Sequence, residues 1–253
     1  MTEKTQNNNE LTMESAACKA RPHLIRQLSI INPETVEKTR FLIVGCGAIG
    51  SYTALALAQM GAEKITIFDN DSFDELNRSS QLCKIADIGT NKAKALADTI
   101  KQFTGVEATA VDEKFEAGNE YHYLYGEKNA IVILAVDSMA ARKEIAEAII
   151  NTLKDGQVSH IIDPRMSAEK YSQFVCKLSD KKSVDTYKAT LYTDGEAVQE
   201  RCTAKATIYT SMSSAGLITK TVKNILEKET YPKTLHWNLK DSHLDVMQMF
   251  GAN

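Results

Sequence analysis

Apolar residues fall into two spacings along this chain, and the alternation between them predicts its architecture. "FLIVGCGAIGSYTALALAQMGAEKITIF" holds a short unbroken apolar run, a glycine-rich turn, a stretch with helical spacing and a second apolar run. Residues 41–44 read as a buried strand, 51–60 as a helix closed by Gly61, and 64–68 as the next strand. After a loop from Asp69 to about Gly89, the Ala, Leu and Ile residues of "NKAKALADTIKQF" fall on one helical face. Residues 130–136, "AIVILAV", are aliphatic throughout, as a strand buried on both faces requires, and end at Asp137. "SMAARKEIAEAIINTL" then predicts a helix and "SHIID" another strand. Strand and helix in alternation specify an α/β fold: a doubly wound, Rossmann-like, mostly parallel sheet with right-handed crossovers.

The pattern differs at both ends. Residues 1–20 are polar and aperiodic and are expected to form a flexible tail. "RPHLIRQLSIINPETVEKT" predicts short helices restarted at Asn32-Pro33. Beyond Asp163, "YSQFVCKL" and "YKATLYT" read as strands with no helix between them, which places antiparallel strands at the C-terminal side of the sheet. A long helix is expected over about 204–227, and "TLHWNLKDSHLDVMQMF" as edge strands. Residues 21–253 thus form a single domain, with a nucleotide-binding part at about 40–165.

Composition narrows the function classes. A formal net charge of -3 over 253 residues supports neither a nucleic-acid nor a membrane-surface partner. The apolar runs are too short to cross a bilayer, and the polar start "MTEKTQNNNE" lacks the features of a signal peptide, so a cytoplasmic location is expected. Five scattered cysteines without a CxxC pair indicate free thiols in a reducing compartment, and no structural zinc.

Gly45, Gly47 and Gly50 form GxGxxG between a strand and a helix, the context that gives the motif meaning. The first glycine permits the turn, the second lets backbone approach a phosphate, and the third lets helix pack on strand. The helix N-terminus favours phosphate, and Asp69 stands where a carboxylate meets ribose hydroxyls. On these residues alone an NAD(P)- or flavin-dependent oxidoreductase leads.

Further residues move the reading toward a nucleotide that is consumed. Asp69, Asp71, Asn77, Gly89 with Lys92, and Asp137 in "AVDS" stand in the order and elements of one family. Over about residues 26–227 the chain resembles the ThiF/MoeB branch of the ubiquitin-activating-enzyme superfamily, which adenylates the C-terminal carboxylate of small carrier proteins. The resemblance implies that ATP and Mg2+ are used, with the glycines, Asp69, Asp71, Asn77, Arg78, Gln81 and Lys92 around the nucleotide. It further implies that Asp137 holds magnesium, that Lys92 and Arg26 supply positive charge, and that residues 166–253 bind the carrier. Arg26 matches an arginine that reaches the partner subunit's site, so a homodimer is implied. No general base is required, because the attacking carboxylate is already ionised at neutral pH.

One departure stands out. The family arginine three residues after the Asn is Ser80 here, followed by the family Gln at Gln81; either Arg78 or Arg165 would replace it. Cys202, flanked by Arg201 and Lys205, occupies the region where some members carry a sulfur-transferring or thioester-forming cysteine, and a structural cysteine is the alternative. Three functions follow: an adenylyltransferase acting on a ubiquitin-like or sulfur-carrier protein or a peptide, an NAD(P)-dependent oxidoreductase, and a catalytically weakened carrier-binding module.

Overall fold

The computed structural model describes residues 21–152, 156–192 and 206–251, with Tyr121 described in its backbone only. Its core is one eight-stranded sheet in the order β3-β2-β1-β4-β5-β6-β7-β8. The strands are β1 (Arg40–Val44), β2 (Lys64–Phe68), β3 (Thr109–Val111), β4 (Ala130–Leu134), β5 (Val158–Ser167), β6 (Lys170–Lys177), β7 (Tyr231–Asn238) and β8 (His243–Phe250). β1 to β5 are mutually parallel, and each pairing from β5 to β8 is antiparallel.

β1 and β4 pair in register from Phe41↔Ile131 to Val44↔Leu134, and both are closed to solvent on each face. That double burial is why they read as apolar runs and not as alternations. On one face lie α1 (Pro33–Lys38), α2 (Ala48–Met60), α3 (Lys92–Thr104) and the long α7 (Ile208–Leu226). The other face carries α4 (Asn119–Leu124), α5 (Met139–Thr152) and α6 (Lys181–Lys188). Residues 22–27 and 33–38 are the expected short helices, the first a 3-10 turn, and Asn32 caps the second. Strand, helix and edge-strand expectations for residues 130–163 and 231–250 match this architecture.

One local expectation is corrected. "YKATLYT" is not a strand: Asp180 accepts hydrogen bonds from the Lys182 and Ser183 amides and so starts α6, which ends at Lys188. Val184, Tyr187 and Leu191 lie at helical intervals against the apolar cluster of that face, which decides against extended backbone. β3 and α4 are elements beyond those expected. β3 has only three residues at the sheet edge, too few for periodicity to register.

Candidate functional site

The glycine turn follows β1 at the C-terminal edge of the parallel strands, where open α/β sheets place their ligand crevices. Gly45 has φ +96, and a Cβ there would lie 2.6 Å from the Ala135 carbonyl oxygen just beyond β4. A Cβ on Gly50 would lie 1.9 Å from the Gly45 oxygen, so α2 can start this close to β1 only with glycine there. Gly47 differs: nothing lies within 4 Å of its Cβ position, and it caps α2 with no side-chain hydrogen bond. Open space before an uncapped helix N-terminus, whose amides carry partial positive charge, fits a phosphate group.

Beside the turn, Asp69 accepts from the Cys46 amide at 2.6 Å and from the Asp71 amide at 2.9 Å. Burial pushes its carboxyl pKa up, while the two amides and the Lys92 ammonium oppose the shift. Lys92 is only 8% exposed, yet its Nζ lies 3.1 Å from Asp71 Oδ2, and its field also reaches the Cys46 thiol. A buried ammonium is expensive unless a charge partner repays its desolvation, and Asp71 stands mostly in solvent, so that compensation is partial. Such a cation is poised for a second, stronger anion.

Asn91 holds this loop together. Its Nδ2 donates to the Asp69 and Asp71 carbonyls at 2.8 and 3.1 Å and to Asp112 Oδ1 at 2.6 Å, while its Oδ1 caps α3 through the Lys94 amide. It was not among the expected residues, although an Asn just before a helix start signals a cap.

Residues 74–84 follow β2 and are tied back to α2. Asn77 forms a reciprocal cap with Asp74 across a 3-10 turn, Arg78 pairs with Glu75 at 2.7 Å, and the Leu82 amide donates to Ser51 Oγ in α2. Gln81 Oε1, next to that tie, is a buried acceptor without a partner among the described residues. Ser80 is buried, so its position is filled by a small side chain.

Asp137 is exposed and stands two residues beyond Ala135, whose carbonyl packs against Gly45. Among the described residues no group of three or more His, Cys, Asp or Glu side chains is arranged to hold a metal. A single carboxylate suits magnesium, which keeps several waters and takes oxygens from phosphates. The donor set therefore fits a metal that arrives with a nucleotide.

Two expected residues stand apart from this group. Arg26 is exposed near the far end of α2, where its neighbour Gln27 donates to the Met60 carbonyl, about 20 Å of helix from the glycine turn. Arg165 is engaged elsewhere, with Asp163 Oδ2 at 2.8 Å, the Thr190 oxygens at 2.9 and 3.0 Å, and the Phe174 ring. Cys202 and residues 1–20 lie outside the described residues. Cys46 and Cys176 are buried packing residues, burial pushing the Cys176 thiol up to about 12.

The sequence profile of the ThiF family matches residues 24–252. The chain belongs to the ThiF family. Among its relatives, the catalytic subunit of the Caenorhabditis elegans NEDD8-activating enzyme E1 is 31% identical over 116 residues, covering 45% of this chain and 26% of that protein. The match thus spans about a quarter of that relative's length. Two solved structures share the ThiF fold at low identity. Escherichia coli tRNA N6-threonylcarbamoyladenosine dehydratase in complex with ATP gives a TM-score of 0.63 at 16% identity, over 84% of this chain and 96% of that one. E. coli MccB with AMPCPP and MccA gives 0.66 at 12%, over 96% and 74%. No helix among the described residues is long and apolar enough to cross a membrane.

Proposed function

We propose that this ThiF-family chain is an ATP-dependent adenylyltransferase that activates the C-terminal carboxylate of a small ubiquitin-like or sulfur-carrier protein, or of a peptide. The observation that carries the reading is the buried Lys92, paired with Asp71 and within the field of Asp69 beside the glycine turn. A nicotinamide site would use the turn and Asp69 but would give neither Lys92 nor Asp137 a task. A relative named for NEDD8 activation, a fold neighbour solved with ATP and another solved with AMPCPP and MccA support the same direction.

In the proposed reaction a carrier carboxylate oxygen bonds to the α-phosphorus of ATP and the bond to the bridging oxygen breaks, releasing pyrophosphate and leaving an acyl adenylate. Negative charge gathers on phosphate oxygens, where fixed donors act most strongly. The α2 amides at Gly47 face those oxygens, Lys92 supplies a fixed positive charge, and Asn77 and Gln81 line the wall. Asp69 orients the ribose. Asp137 would hold magnesium, which when bound would supply positive charge to the phosphates. Arg26 lies beside the far end of α2, too far to serve its own chain's turn, so a role at the nucleotide calls for a homodimer in which it reaches the partner's site. Cys202 would take the activated acyl group as a thioester, with AMP leaving. A cytoplasmic setting suits free thiols.

Exchange of labelled pyrophosphate into ATP, with candidate carriers added, tests the reading. Exchange that depends on magnesium and carrier, and falls at least 100-fold in Asp137→Ala with an unchanged melting temperature, is expected. Binding of NAD with no ATP binding overturns it.

A further inference from the structure

Arg142 is 3% exposed and lies on the apolar stripe of α5 with Met139, Ile145, Ala146 and Ile149. Its Nη1 donates to the Leu134 carbonyl at 2.8 Å and the Pro164 carbonyl at 3.3 Å, and pairs with Asp163; its Nη2 donates to the Val136 carbonyl. Asp163 is wholly buried and also takes Arg165 and, at 3.0 Å, the Tyr187 hydroxyl.

A buried ion pair is a poor way to gain stability, since apolar residues of similar volume often do as well. A guanidinium does offer five donors in a rigid fork, and here the fork gathers carbonyls at and just beyond the end of β4 and one from β5. Leu134 and Val136 are held from below in this way. Ala135 between them faces the other direction: its amide donates to Val44 at 2.8 Å, and its carbonyl is the atom against which Gly45 is packed. Asp137 is the next residue but one.

We propose that Arg142 is a positioning residue of the nucleotide site, fixing the 134–136 backbone that presents Asp137 and supports the Gly45–Gly47 turn. The consequence for magnesium rests on the adenylation reading, whereas the mechanical part does not. A lysine keeps the charge but cannot span the carbonyls and Asp163 together.

The test compares Arg142→Lys with Ile145→Ala, a cavity variant one turn along α5 that leaves the carbonyl bonds in place. Hydrogen exchange, melting temperature and the magnesium concentration for half-maximal ATP binding are measured on the full chain. Arg142→Lys is expected to speed exchange at residues 45–47 and 136–139 at least tenfold beyond Ile145→Ala at a comparable loss in melting temperature, and to raise the magnesium requirement about tenfold. Equal exchange in the two variants overturns the proposal. Faster exchange with an unchanged magnesium requirement overturns the link to Asp137. If the wild type binds no ATP, the adenylation reading fails while the exchange comparison still decides the positioning role. Should Arg142→Lys not fold, Arg142→Gln, which retains one amide donor pair, is measured in its place.

Discussion

The parallel and antiparallel halves of this sheet solve different problems. In the parallel half every residue of β4 is buried and helices cover both faces, and beyond the strand ends Gly45, Asp69 and Lys92 come together. In the antiparallel half burial fades outward until seven of the eight residues of β8 are exposed, including Leu244, Val246, Met247 and Met249. The difference teaches where tolerance lies: the first half fixes a crevice to within a methyl group, whereas the second offers surface. β5 belongs to both, pairing parallel with β4 and antiparallel with β6.

The sharpest break in that comparison is a single methyl at the glycine turn. Gly50→Ala places a Cβ 1.9 Å from the Gly45 oxygen and 3.0 Å from the Gly45 carbon, both backbone atoms that cannot step aside. We expect a loss of about 3 kcal/mol or more in urea unfolding, at the upper end of overpacking, together with loss of ATP binding. Gly47→Ala is the counterpart, with open space at its Cβ and φ -72. It should unfold within about 1 kcal/mol of wild type while binding ATP more weakly, because the methyl occupies the phosphate's approach. Equal stability losses would mean that the turn is not packed as described.

A smaller effect tests the shared strand. His160 of β5 is buried, its Nε2 lies 2.7 Å from the Tyr231 hydroxyl of β7, and Lys177 stands directly opposite on β6. Burial first, and the Lys177 charge second, pull its pKa from 6.5 down to about 4. Burial holds the Tyr231 hydroxyl up at about 12, so it stays protonated and can donate to the neutral ring. A depressed folded-state pKa makes the unfolded chain the better proton binder between these values. The contribution of the neutral ring is therefore fully present above pH 6.5 and is lost as pH falls toward 4, by roughly 2 kcal/mol at pH 4.5. Urea unfolding of wild type and His160→Gln at pH 7.5 and 4.5 should differ by that amount in their pH dependence; parallel curves would show an imidazole that titrates normally.

How much was legible in the sequence follows the same division. Phe41–Val44 and Ala130–Leu134 announce themselves because double burial demands unbroken apolar runs, and the glycine turn because positions 45 and 50 admit only glycine. The order of Asp69, Asn77, Lys92 and Asp137 could be read as well, but not the Lys92–Asp71 pairing or the bracing by Asn91, which depend on how the loop folds back. "YKATLYT" misled because its alternation looks like a strand, whereas the cap at Asp180 starts a helix that takes in only Tyr187 and Lys188 before the chain turns at residues 189–190. Arg142 left a usable sign: an arginine on the apolar stripe of a predicted helix must have buried acceptors. Arg165 gave none, since its partner Thr190 is reached only through the fold.

The smallest expected effect is also the most discriminating for the antiparallel edge. Ile133→Val removes one methyl from a fully buried position in β4 and should cost about 1 kcal/mol. Val246→Thr on β8, at 48% exposure, should change stability by less than about 0.5 kcal/mol, since half of that side chain already faces water in the folded chain. Both are read by urea unfolding at several protein concentrations. If Val246→Thr costs as much as Ile133→Val, and the cost grows with protein concentration, β8 is covered in solution by a second copy of the chain and the antiparallel half carries an interface. If it costs little at every concentration, the edge is open, and the contrast between a tightly specified crevice and a permissive sheet edge holds for the isolated chain.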